Sequence, residues 1–100
     1  MPFLTEFSRN DTVSVGTTAV RAASPYDDRK VIYIRNISTG GQVITLFFSD
    51  SSTATASGGG IVLNPNDYII DSLSESYTPW RGPITAISSA ASGTLSIYER

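Results

Sequence analysis

The chain predicts an all-β fold: a small β-sandwich or jelly-roll-like barrel of about eight short antiparallel strands. Three observations predict it. Apolar residues recur with period 2 in short runs, and no window holds a 3.6-residue period for longer than about one turn. Clusters of Gly, Pro, Asn, Asp and Ser separate those runs at close intervals, as in sandwiches and barrels. Serine and threonine make up 26 of the 100 residues, a composition suited to the outer faces of sheets and to surfaces covered by other subunits.

Residues 1–11 read as an N-terminal arm or first strand, with Phe3, Leu4 and Phe7 among polar neighbours and a turn at Ser8-Arg9-Asn10-Asp11. Large apolar side chains near a chain end pack on their own domain or on a neighbour. Residues 12–100 read as a single β-sandwich domain. Thr12–Val15 alternates and stops at Gly16, and Thr17–Ala22 is a weaker strand. Pro25, Asp27 and Asp28 mark the loop that follows, since proline fixes φ and aspartates favour turns.

The clearest signal is the stretch from Arg29 to Asp50. Val31, Tyr33 and Arg35 alternate with Ile32 and Ile34, and Val43, Thr45 and Phe47 alternate with Ile44, Leu46 and Phe48. Between the runs lie Asn36, Ile37, Ser38, Thr39, Gly40 and Gly41, which suit a turn, so the stretch reads as a β-hairpin. Ile32, Ile34, Ile44, Leu46 and Phe48 form its inward set. Val31, Tyr33, Val43 and Phe47 make the other face too apolar for an ordinary solvated surface, and a second layer or another subunit must cover it.

From Asp50 to Gly60 the chain is low in complexity and reads as a mobile surface loop. Ile61-Val62-Leu63 is a short strand, Asn64-Pro65-Asn66-Asp67 a strong turn, and Tyr68–Asp71 extended again. Ser72–Thr78 is irregular, and Pro79-Trp80-Arg81-Gly82-Pro83 forms a rigid corner around the single tryptophan. Ile84–Ser88 and Thr94–Tyr98 complete the strands, with Leu95 and Ile97 pointing inward. The order of the strands does not follow from the pattern.

Composition excludes several function classes. No cysteine means no disulfide framework and no thiolate metal site, and no histidine removes the usual zinc ligand and the usual base near neutral pH. Seven basic residues against nine acidic ones give a net charge of −2, which argues against a nucleic-acid surface. The apolar runs are far shorter than the roughly 20 residues a spanning helix needs, so no membrane is expected as a partner. The N-terminus lacks the basic region and apolar stretch of a secretion signal.

Candidate sites are sparse. Asp27, Asp28, Asp50, Asp67, Asp71 and Glu75 sit in or beside turns without the spacing of a calcium loop. Serine nucleophiles lack a base, and Lys30, the only lysine, has no Ser-x-x-Lys motif. Gly58-Gly59-Gly60 is followed by neither Lys-Ser/Thr nor a helix, which rules out a phosphate loop. Exposed aromatics anchor interfaces and stack on sugars, and Tyr26, Tyr68, Tyr77 and Trp80 are the candidates. Arg29, Arg35 and Arg81 are candidates to pair with acidic turns of the same chain or of a neighbour.

The succession of features resembles small β-sandwich virion proteins of double-stranded DNA bacteriophages, of the capsid decoration, cement or head–tail accessory type. It spans roughly residues 12–99: Val15–Val20, Arg29–Asn36, Val43–Ser49, the glycine-rich stretch before Leu63-Asn64-Pro65, Gly82–Ile87 and Thr94–Glu99. The resemblance implies a non-enzymatic structural protein of the virion, assembled in the host cytoplasm, without cofactor or catalytic residues. Its implied partners are the major capsid protein or other virion subunits, and copies of itself in a trimer or higher homo-oligomer. Phe3, Leu4, Phe7, Tyr33, Phe47, Tyr77, Trp80 and Arg81 are the expected interface residues. The alternative is a carbohydrate- or receptor-binding module of a phage tail or spike, with Tyr68, Tyr77 and Trp80 as its stacking platform.

Overall fold

A computed structural model describes residues 8–49 and 59–100. Eight strands form: β1 (Arg9–Val15), β2 (Val20–Ala23), β3 (Val31–Asn36), β4 (Ile44–Phe47), β5 (Ile61–Leu63), β6 (Tyr68–Ser72), β7 (Ile84–Ser88) and β8 (Gly93–Glu99). All pairings are antiparallel, in two four-stranded sheets ordered β1-β8-β3-β6 and β2-β7-β4-β5. First pairs with last, second with seventh, third with sixth and fourth with fifth. This is the order of a jelly roll, one long hairpin rolled so that its two arms alternate between sheets.

The core lies between the sheets. Val15, Ile32, Ile34, Leu95 and Ile97 of the first sheet face Ala22, Ala23, Ile44, Leu46, Leu63, Ile84 and Ala86 of the second. Val13, Val20, Phe48 and Ile69 close its rim. Full burial of one such aliphatic side chain contributes about 1.5–3 kcal/mol, so this layer is the main stabilising term. The inward set of the central stretch therefore lies where its alternation places it.

The pairing within that stretch does not. β3 and β4 belong to different sheets, so Arg29–Asp50 is a crossover and not a hairpin. β3 lies between β8 and β6, and β4 between β7 and β5. The connection is held by Asn36, fully buried, whose Nδ2 donates to the carbonyls of Gln42 (2.8 Å) and Leu63 (2.9 Å) while its Oδ1 accepts from the Ser38 amide. Gln42 donates in turn to the Ala91 carbonyl and accepts from the Gly40 amide. These side chains satisfy backbone groups that a two-stranded ladder would otherwise pair.

Ser8–Asp11 is likewise not a turn. β1 begins at Arg9 and pairs in register with β8 up to Glu99. Its polar residues mark an exposed edge strand, not a reversal. The turn at Asn64–Asp67 forms as expected: Asp67 N–H donates to Asn64 O, and Asn66 after Pro65 takes φ of 73°. These are the marks of a type II turn. Of the glycine-rich stretch only Gly59 and Gly60 are described. A Cβ on Gly60 would lie 2.6 Å from the Leu46 carbonyl oxygen, so close passage over β4 requires glycine there.

The connections divide between two ends. Residues 16–19, 37–43, 64–67 and 89–92 lie at one end, tied by bonds such as Ser88 N to Gly16 O and Ile37 N to Thr94 O. Residues 24–30 and 73–83 meet the start of β1 and the end of β8 at the other.

Candidate interaction surface

The second end is organised by a buried ion cluster. Arg29 is 0% exposed, and its guanidinium is used from every side. Nε donates to Glu99 Oε2 (2.8 Å), Nη1 to the carbonyls of Trp80 and Gly82, and Nη2 to that of Ser24 (2.7 Å). Glu99 Oε1 accepts from Arg9 Nη1 at 3.0 Å. Arg29 thus pairs with a strand residue and not with an acidic turn. Arg81 donates from Nε to the Arg29 carbonyl, and Arg35 Nε is enclosed without a partner. The carboxylate clamped between two guanidiniums, and the carbonyls that Arg29 gathers, tie β1, β8 and two loops together.

Beside it, buried Asp71 holds the 73–83 loop. Its carboxylate accepts from the Tyr77 hydroxyl and from the Trp80 amide (2.8 Å). Hydrogen bonding to that carboxylate holds the Tyr77 hydroxyl pKa above its usual value, reinforced by desolvation and by the nearby negative charge. Trp80 Nε1 donates to the Pro83 carbonyl, and its ring lies over Gly82, where a Cβ would clash with Cζ2 and Cε2 of the indole. Tyr77, Trp80 and Arg81 are therefore brought together, with Tyr77 and Trp80 still presenting exposed ring area.

The outer face of the first sheet is the larger exposed feature. Register aligns Asn10, Tyr98, Tyr33 and Ile70 in one row across β1, β8, β3 and β6, and Thr12, Ser96, Arg35 and Tyr68 in the next. Tyr68 and Ile70 are 57% and 58% exposed, and the Tyr33 and Tyr68 rings lie 5.4 Å apart and tilted. A shallow groove of about 550 Å³ runs over Asn10, Asp11, Thr12, Tyr33, Ser96 and Tyr98. At its rim the Thr12 amide, and then Arg9, hydrogen-bond the Asp11 carboxylate and hold its pKa below the usual value.

The expected interface residues thus separate. Tyr33 lies on this open face, and Tyr77, Trp80 and Arg81 lie on the loop at one end. Phe47 lies on β4 of the other sheet, half-buried. Phe3, Leu4 and Phe7 fall outside the described residues. The stacking platform also divides, because Tyr68 meets Tyr33 whereas Tyr77 and Trp80 gather at Asp71. Ile70 and Tyr98 join the open face unannounced. Their alternation with Ile69 and Ile97 carried the signal, but only the sheet order places them in one row.

Among the described residues no group of three metal-ligating side chains converges, and no helix is long and apolar enough to cross a membrane. No family model, curated protein or solved structure matches the chain.

Proposed function

We propose that the protein is a non-enzymatic structural subunit of a virus particle, a capsid decoration or cement protein that stabilises the shell through subunit contacts. The observation that carries this reading is the open row of Tyr33, Tyr98 and Ile70 beside Tyr68, an aromatic surface of the kind that anchors protein interfaces. The strand order supports it, since jelly rolls recur in capsid domains. Each copy bound to adjacent capsid subunits favours the assembled shell by mass action. Cosedimentation with capsids of the virus that encodes it tests the reading. Wild-type protein is expected to pellet with the particles, and replacement of Tyr33 and Tyr68 by serine is expected to abolish this. Wild-type protein that stays in the supernatant overturns the proposal.

A carbohydrate-binding module is the second reading. The groove favours it by setting two tyrosine rings beside hydroxyl, amide and carboxylate groups, the mixture that stacks and orients a sugar. Lectin domains also use jelly rolls. A glycan array followed by titration against Tyr33→Ala separates the two readings: silence on every glycan removes the second.

A further inference from the structure

We propose that β6 is a self-pairing edge, and that two copies join antiparallel through it into one continuous sheet. The inference goes beyond the proposed function, and its dimer differs from the trimer or higher homo-oligomer that the resemblance implies.

The four edge strands differ in what they offer. β1 carries Arg9 and Asp11, charges that discourage added strands. β2 has four residues and a register shift between Arg21 and Ala23. β5 has three residues, with Gly60 before and Pro65 shortly after. β6 pairs along five residues without a break and contains neither proline nor basic residue. Its one charge, Asp71, is buried and engaged by Tyr77 and Trp80.

The hydrogen-bond phase of β6 defines what can bind. The Leu73 amide donates to Lys30 O, and the Asn36 amide to Asp67 O. In an antiparallel ladder this turns the N–H and C=O groups of Ile69 and Asp71 toward β3. Those of Tyr68, Ile70 and Ser72 point away, and no hydrogen bond within the described residues uses them. Such a row is completed by an extended strand and by no globular surface.

Charge selects the register and identifies the strand as a second copy. A two-fold axis at Ile70 sets Ile70 against its own mate and Tyr68 against Ser72, forming about six backbone hydrogen bonds. Asp71 then faces Ile69, and Asp67 faces Leu73. An axis at Ile69 would oppose Asp71 to Asp67, and one at Asp71 would oppose two Asp71 residues. The charges thus disfavour both neighbouring registers. In the favoured one, Ile70 packs on its own mate and Tyr68 lies diagonally beside the mate's Ile70 on one face, covering exposed side chains that hydrogen bonds alone would leave in water.

Sedimentation equilibrium and amide hydrogen exchange on the isolated full chain test this. The expected result is a dimer with concentration-dependent protection at the Tyr68, Ile70 and Ser72 amides. Ile70→Lys, which opposes two ammonium groups, should give a folded monomer, while Val62→Lys on β5 should remain dimeric. Should Ile70→Lys fail to fold, exchange in the wild-type chain decides alone. A monomer at the concentration of an NMR sample, a trimer, or protection at residues 61–63 in place of β6 overturns the inference. A dimer that ignores capsids would sink the proposed function and leave β6 pairing standing, and a monomer that binds them would do the reverse.

Discussion

The two ends of the sandwich solve one problem with different chemistry. Both must satisfy backbone groups where the chain crosses between sheets. At the first end neutral side chains do it: Asn36, Ser38 and Gln42 bond to carbonyls and amides of three connections. At the second, charge does it: Arg29 gathers the Ser24, Trp80 and Gly82 carbonyls while Glu99 neutralises it, and Asp71 holds the Tyr77–Trp80 turn. The difference follows from reach. Asn36 needs only its short amide to bridge adjacent segments, whereas three carbonyls from two separate loops require a long, forked donor. The cost is a buried charge that must stay paired. The neutral end should therefore tolerate the alkaline pH at which the other end loses the Tyr77 hydroxyl proton that binds Asp71.

Breaking the ionic end should have the largest effect. Arg29→Met leaves Glu99 with Arg9 alone and strands three carbonyls, so a loss of about 3–5 kcal/mol is expected in urea unfolding. A loss below about 1 kcal/mol would mean that water or relaxation replaces the cluster. At the neutral end, Asn36→Leu removes the partners of the Gln42 and Leu63 carbonyls and the Ser38 amide, and with partial relaxation of these loop groups a smaller loss of about 1–3 kcal/mol is expected. Its effect should not change with pH, and a pH-dependent loss would dissolve the contrast between the ends.

Smaller effects sharpen the contrast through titration. The Tyr77 pKa is raised in the folded protein, so its bond to Asp71 contributes fully below pH 10.0 and is lost as pH rises through the higher folded value. Stability should fall above pH 10.0, and Tyr77→Phe should flatten that decline in alkaline melting curves. The Asp11 pKa is lowered, so its contribution is present above pH 3.8 and is lost as pH falls through the lower folded value. Asp11→Asn should give the least change of all, a slightly shallower acid limb, because Asp11 is exposed and screened.

Much of the fold was legible in the residues. Alternation identified the strands around Ile32–Ile34, Ile44–Leu46 and Leu95–Ile97 and the face each buries, because a pleated chain places successive side chains on opposite sides whatever lies beside it. The Pro65–Asn66 turn was legible because φ preferences are local. The Arg9–Asp11 segment misled because polar edge strands and turns share a composition. Of the candidate surface, Tyr33 was legible as an outward aromatic, but its row with Tyr98 and Ile70 was not. The Arg29–Glu99 pair joins residues 70 positions apart, a separation that no local pattern reports.

The sequence by itself thus determined where strands occur, which side chains they bury and which chemistries are missing. Only the tertiary structure decided that β3 and β4 face each other across the core. Ile32, Ile34, Ile44 and Leu46 are buried as well by opposing one another as by lying side by side. Periodicity cannot distinguish these arrangements, and the choice rests on distant partners: β8 and β6 for one strand, β7 and β5 for the other.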